Sequence, residues 1–431
     1  MPSNVRSFCY LTYLRFLVPL AITVFAFDFR SPLVNSGMAR LPQSKETLDA
    51  FGLPWTLMIF LFLPLQQVSH LGLVLAKNTK AKRKIQKFVL LICLSLSLAS
   101  TFFVFTPFGA WYLENLHQVN NEIGQSARYA LMALIPLHLI IGMTSYHSGL
   151  LMRVHRTDLI SYATFANIGL SLLSVYLFIQ LESVQRNPIR LPIYVIYVGS
   201  IAELVVILIG YLRTAQPSLR KIPDSSISYY RAARFFLPLA TVMALQGFSR
   251  RVINLFVSRG HDSVAALAAI SVSYSLGGIH YGWINSLKSL IPAFPDTKDS
   301  RRRIMGFCIT CGVSSFLLAS ILFFTPLRDY ILLNLIAVTP EIAALCTVPL
   351  ILSAFLPLIA LFRTYYHGVA MAKQQTVLLA PSGPTRIAAT ILILVALSQT
   401  NLHGATIGIA ALVGGYIFET IVVVWLVVKN T

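Results

Sequence analysis

Apolar and polar positions alternate along this chain in long blocks rather than with a surface-helix period. Apolar runs recur near 9–36, 50–75, 88–113, 127–151, 159–180, 192–212, 233–258, 264–292, 305–327, 341–368, 376–398 and 405–427. Each reaches the length of roughly 20 residues with which a helix crosses about 30 Å of hydrocarbon. The pattern predicts an all-α membrane protein with twelve transmembrane helices and little outside the bilayer. Loops after the second, fourth, sixth, eighth and tenth runs carry "KNTKAKRKIQK", "RVHR", "RTAQPSLRK", "KDSRRR" and "AKQQ". The alternate loops are less basic and hold Glu46, Asp49, Glu114, Glu122 and Glu341. Positive loops stay on the cytoplasmic side, so both termini are expected there, in a cell (inner or plasma) membrane.

The pattern also repeats. "RFLVPLA" at Arg15 returns as "RFFLPLA" at Arg234, an offset of 219 residues. The same offset carries Asn35 onto Asn254, Phe88 onto Phe307, "FTP" at Phe105 onto "FTP" at Phe324, Glu122 onto Glu341 and Thr157 onto Thr376. Small gaps then align Tyr146-His147 with Tyr366-His367, and "GSIAE" ending at Glu203 with "GYIFE" ending at Glu419. Six spans per repeat bring both halves into the membrane with the same orientation. Two six-helix bundles are therefore expected, at 1–212 and 231–431, related by a pseudo-two-fold axis along the membrane normal. A central cavity is expected between them, and the polar stretch 213–230 reads as the cytoplasmic linker.

Composition agrees and adds one anomaly. The chain is 56% hydrophobic and 11% charged over 431 residues, roughly half the charged fraction of a soluble domain. Lys and Arg number 34 against 15 Asp and Glu. Most of this excess is loop charge, and with no basic domain to hold a duplex, nucleic acid is not an expected partner. The five cysteines lie in or beside apolar runs. "CITC" at Cys308 has redox spacing but sits inside a helix with no second pair, so core packing is expected. No Walker loop, nucleophile elbow or HExxH is present, so no enzyme activity, cofactor or metal is expected.

The anomaly is the charge inside the apolar runs. "LPLATVMALQGFSRRVINLFVS" puts Arg250 and Arg251 side by side in the seventh run. A mid-membrane charge costs about 2.5–3.5 kcal/mol even on lenient scales, so each should meet a partner or water. Successive helical residues point about 100° apart, so one arginine can face the cavity while the other snorkels outward. Arg386 and Glu419 both fall near the middle of their spans, the last hairpin. They read either as a structural ion pair or as substrate contacts. Their counterparts in the first half are Asn167 and Glu203. Asp28, after the bend expected at Pro19, reads as a proton or cation site or as a partner of Arg30 or Arg250. Lys288 and Arg363 lie toward cytoplasmic span ends, where snorkelling would serve them. His147 and His367 read as packed, hydrogen-bonded histidines. Arg250, Lys288, Arg363 and Arg386 all belong to the second half. Several bases with few acids favour a multivalent anion.

"RFLVPLAITVFAFDF", "SRRVINLFVSR", "HYGWINSLKSLIPAF", "VLLAPSGPTRI" and "HGATIGIAALVGG", in this order and spacing, resemble the progressive ankylosis (ANKH) family. The resemblance implies the MATE-like twelve-helix fold of the multidrug/oligosaccharidyl-lipid/polysaccharide flippase (MOP) superfamily. It also implies export of small polyanions: citrate or other carboxylates, pyrophosphate and ATP. On matching motifs it assigns Asp28, Asn35, Gln246, Arg250, Asn254, Arg363, Arg386 and Glu419 to the cavity. Lys288 stands where animal members have arginine, and a lysine lacks the bidentate fork. Glu203 and Arg251 match no family position.

The leading expectation is thus a monomeric secondary exporter of polyanions working by alternating access. Arg250, Arg386, Arg363, Lys288, Asn35, Asn254 and Gln246 would bind substrate, and Asp28, Glu419 and Glu203 would serve coupling or charge pairing. A cation-coupled multidrug exporter of the same fold would instead call for acids and an apolar aromatic cavity. A lipid-linked sugar flippase would want bases but must open sideways to lipid.

Overall fold

Among the described residues, fourteen long helices carry the chain: α1 (Tyr10–Met38), α2 (Ser44–Gln66), α3 (Thr79–Phe105), α4 (Asn121–Leu134), α5 (Leu137–Arg153), α6 (Asp158–Phe178), α7 (Arg190–Gly210), α8 (Tyr229–Val257), α9 (Ser263–Gly282), α10 (Lys298–Phe324), α11 (Pro340–Ala354), α12 (Leu356–Ala372), α13 (Ser382–Leu397) and α14 (Gly404–Lys429). The computed structural model describes residues 10–42, 44–112, 120–223, 225–260 and 262–430, the side chains at 27–31, 33 and 121 excepted. Among the described residues there is no strand. Ten helical stretches, from Ser44–Leu75 to Gly404–Lys429, are long and apolar enough to cross a membrane. The pair α4–α5, bent by 41°, makes an eleventh if taken as one span, and Tyr10–Ala26 is a shorter apolar helix. Leu94 and Leu98 on α3 and Leu392 on α13 stand exposed. Helices this apolar on their outward faces suit lipid rather than water.

The 219-residue offset reappears in the helix ends, where local chemistry is easiest to trace. Asn78 accepts from Ala81 N at 2.9 Å to cap α3, and 219 residues on Thr297 accepts from Ser300 N at 3.2 Å to cap α10. Asn120 caps α4 through Ile123 N, and Thr339 caps α11 through Ile342 N. Each cap satisfies an otherwise orphaned N–H of a first turn. Past the ends of α5 and α12, His155 and Gln374 both adopt left-handed backbone, φ 56 and 58. In both places the next amide reaches back five residues, Arg156 N to Leu151 O and Gln375 N to Ala370 O. That is the Schellman closure, here without glycine.

Two compact units result, Val18–Phe236 and Leu237–Thr431, the latter including the stretch that ends at Leu17. The division falls inside α1 and α8. Tyr10, at the start of α1, packs edge-on against Phe307 at 5.6 Å, and Tyr13 meets Phe294 at 5.0 Å. At the equivalent point of α8, Tyr229 lies under Lys84 Nζ at 5.0 Å and Phe236 meets Phe88 at 6.2 Å.

A break separates α11 from α12. Pro357 has no N–H to give the carbonyl four residues back, and that carbonyl, Ser353 O, lies 2.9 Å from His280 Nε2 instead. The helix resumes at Leu356, and Pro340–Ala372 forms one span-length stretch with Arg363 in its last third. The described cysteines, Cys93, Cys308, Cys311 and Cys346, are free and buried, as core packing requires.

Candidate functional site

The unit containing Leu237–Thr431 holds a buried polar cluster against an apolar core that includes Ile253, Ile270, Leu350 and Leu412. It begins with a close helix contact. A Cβ on Gly415 of α14 would collide with Thr390 Oγ1 and lie 3.3 Å from Arg386 O, so glycine is what lets α13 and α14 approach here. One residue on, Tyr416 presents its ring face to the Arg386 guanidinium at 3.9 Å. Three residues further, on the same helix face, Glu419 Oε2 accepts from Arg386 Nη1 at 3.1 Å.

Two more helices converge on the same carboxylate. Arg363 of α12 donates from Nη1 to Glu419 Oε2 at 3.3 Å and lies over the Tyr416 ring at 4.8 Å. Its Nη2 donates to Asn285 Oδ1. Gln246 of α8 donates from Nε2 to Glu419 Oε1 at 2.6 Å. Arg363, Arg386 and Glu419 are 4%, 2% and 0% exposed. Arg363 is thus buried among its partners rather than extended along the surface. Two guanidinium groups share one carboxylate, each through a single nitrogen, and Arg386 Nε has no hydrogen-bond partner among the described residues. A buried donor left so costs about 1–3 kcal/mol, and such an atom in a native site calls for a reason.

Arg250, one turn beyond Gln246 on α8, is differently placed. Its residue is exposed, while its Nη2 donates to Tyr281 OH at 3.0 Å and its guanidinium lies 5.0 Å over the Tyr274 ring. Tyr281 in turn meets Tyr416 edge-on, centroids 5.9 Å apart. A continuous chain of contacts thus runs from exposed Arg250 through Tyr281 and Tyr416 to the buried arginines and Glu419. Lys288 is half-buried, three residues past Asn285, and within electrostatic range of Arg363 and His367. Helix α12 comes close there, since a Cβ on Gly368 would lie 2.8 Å from Lys288 O. His367 is buried with Nε2 unpartnered, whereas its counterpart His147 has Nδ1 2.8 Å from Met143 O and packs edge-on against Tyr211.

Arg251 is half-buried, and Asn254 and Asn35 are exposed. Asn35 belongs to the Val18–Phe236 unit. The side chain of Asp28 lies outside those described. In that unit Glu203 Oε2 accepts from Asn167 Nδ2 at 2.6 Å, and Ser171 Oγ donates to Asn167 Oδ1 at 3.2 Å. Among the described residues no cluster of His, Cys, Asp and Glu could hold a metal.

Tyr274, Tyr281, Tyr416 and Asn285 were not among the sequence candidates. Part of this carried a signal, since Tyr416 and Glu419 are three apart on one helix face.

A model of the progressive ankylosis protein (ANKH) family matches residues 2–306. Among solved structures, the eukaryotic MATE transporter AtDTX14 aligns over 98% of this chain and 96% of its own, with a TM-score of 0.72 and 15% identity. An outward-facing multidrug resistance MATE transporter of the MOP superfamily aligns over 98% and 95%, with a TM-score of 0.69 and 14% identity. A MOP superfamily transporter from Pyrococcus furiosus aligns over 98% and 95%, with a TM-score of 0.69 and 13% identity. For that protein a reverse polarity of the binding pocket is taken to suggest a different function. At these identities the likeness is one of fold. The fold is the one these membrane transporters share.

Proposed function

This chain belongs to the progressive ankylosis family, and from that premise we propose that it is a secondary transporter exporting small polyanions by alternating access. Citrate or other carboxylates, pyrophosphate and ATP are the substrates proposed. One observation carries the reading: Arg363 and Arg386 share the single carboxylate of Glu419, and exposed Arg250 is tied to the same cluster through tyrosines. Guanidinium groups in excess of carboxylate suit phosphoryl and carboxylate oxygens. A site for lipophilic cations would need the opposite balance, and the reversed pocket polarity described for the Pyrococcus furiosus transporter is the kind of change we propose here.

In this reading Arg250 makes first contact. Arg363, Arg386, Lys288, Gln246, Asn254 and Asn35 complete the binding set, and Asp28, Glu203 and Glu419 serve coupling or charge pairing. The architecture proposed with it has twelve crossings: the ten long spans, the bent α4–α5 pair and α1. They form two six-helix bundles, 1–212 and 231–431, joined by 213–230, with both termini cytoplasmic in the cell membrane. The protein works as a monomer, without cofactor or metal. A trivalent anion leaving a cell that is negative inside gains roughly 2.3 kcal/mol per charge per 100 mV, enough to drive export without a coupling ion.

The test is uptake of radiolabelled citrate or pyrophosphate into inverted membrane vesicles. Accumulation that rises with the imposed potential supports the reading. Transport of lipophilic cations with neither anion moved would replace it with a multidrug exporter, and movement of lipid-linked sugar alone with a flippase.

A further inference from the structure

Glu419 occupies the place a substrate would want. Its Oε2 lies between two guanidinium groups, and its Oε1 takes the amide of Gln246, so both oxygens are held from three helices. Yet the arginines hold it loosely. Each offers one nitrogen instead of a two-pronged fork, and Arg386 Nε stays unpartnered although the residue is 2% exposed. The two-pronged fork is the stronger arrangement for an arginine and a carboxylate, and neither arginine makes it here. A carboxylate this buried cannot itself touch an arriving ligand, but it decides whether Arg363 and Arg386 are free to do so.

We propose that Glu419 is the site's own anion, a tethered competitor that holds the two arginines between transport events and yields them to the substrate. The inference rests on the polyanion reading above. A polyanion first meets Arg250; its remaining charges then draw Arg386 and Arg363 away from Glu419, with Tyr416 as the stacking surface common to both guanidiniums. The return of Glu419 to its arginines displaces the bound anion and prepares its release. Glu419 is therefore a positioning and specificity residue. It favours ligands with enough charge to outcompete one carboxylate, and penalises monocarboxylates.

The experiment separates binding from turnover. A site self-occupied nine times in ten binds about tenfold more weakly than its intrinsic affinity. Titration calorimetry of the purified full chain with citrate and with inorganic pyrophosphate, at constant ionic strength, should show E419Q binding about tenfold or more tighter than wild type. Counterflow in proteoliposomes should at the same time be slower in E419Q. A merely structural glutamate would give weaker binding and weaker transport together. Binding by wild type with equal or weaker binding by E419Q overturns the inference and leaves the polyanion reading standing. Binding of neither anion by wild type overturns both. Should E419Q not purify folded, E419D decides, because it keeps the carboxylate and shortens its reach to the two arginines. Severalfold tighter binding supports the competitor role, and unchanged or weaker binding overturns it.

Discussion

Glu203 on α7 and Glu419 on α14 each stand four residues beyond a glycine at which their helix meets its hairpin partner. A Cβ on Gly199 would strike Asn167 and Ser171, and one on Gly415 would strike Thr390 and crowd Arg386. Asn167 and Arg386 are 219 residues apart, as are Ser171 and Thr390. The backbone contact is thus the same in both units, and the chemistry set on it differs. Where one unit has Asn167, Met143 and Ser200 in equivalent positions, the other has Arg386, Arg363 and Tyr416. Glu203 is half-buried and takes an amide N–H; Glu419 is fully buried and takes two guanidiniums and an amide. A duplicated helix pair carries a carboxylate–amide contact in one copy and a charged cluster in the other.

The largest test of that contrast is deletion of each carboxylate. Glu419→Ala leaves two buried guanidiniums unpaired and should cost about 3–5 kcal/mol. Glu203→Ala removes a hydrogen-bonded carboxylate at a half-buried position and should cost less, about 1.5–3 kcal/mol. Thermal or denaturant unfolding in detergent checks both, and equal losses would mean the two carboxylates do the same job.

Arg250→Ala should act on function alone. Its ties are to Tyr281 OH and the Tyr274 ring, and its residue is exposed, so stability should fall by only about 1 kcal/mol. Loss of a charge-assisted contact to substrate should lower transport roughly 10- to 100-fold. Vesicle uptake beside an unfolding curve decides; unchanged uptake removes Arg250 from the binding set.

How far the sequence foretold this contrast depends on what each feature needs to be visible. The 219-residue offset needed only one-dimensional comparison, and it reaches down to single caps, Asn78 with Thr297 and Asn120 with Thr339. That Arg386 and Glu419 could meet followed from their mid-span positions on one hairpin. That Arg363 joins them did not, because its helix meets that hairpin only in three dimensions. Tyr281 and Tyr416 were hidden for another reason. An aromatic residue in an apolar helix looks like core until a cation from a different helix is set on its face, and that pairing is three-dimensional.

The shared backbone contact gives a smaller prediction. Gly199→Ala and Gly415→Ala both insert a methyl group into a tight helix crossing and should each cost about 1–3 kcal/mol. Only Gly415→Ala should also lower transport beyond what stability explains, since the atoms in its way belong to Thr390 and Arg386. Equal transport defects would tie the first unit's hairpin to function as closely as the second's.

The smallest effect belongs where the two halves are alike. His155 and Gln374 both hold left-handed backbone at the close of a helix, with φ 56 and 58 and the same five-residue return bond behind them. A side chain there costs about 1–2 kcal/mol relative to ordinary helical backbone. Glycine escapes that cost but gives back about 0.5–1 kcal/mol in chain entropy. The balance favours glycine by a few tenths to about 1 kcal/mol, less whatever other contacts the native side chains make. His155→Gly and Gln374→Gly should therefore raise the unfolding midpoint slightly and by similar amounts, and leave uptake unchanged. Neither position lies in the charged cluster, so the halves should answer alike here even though they differ at Glu203 and Glu419. A stabilisation confined to one half would show that the divergence extends past the cluster into the backbone common to both copies.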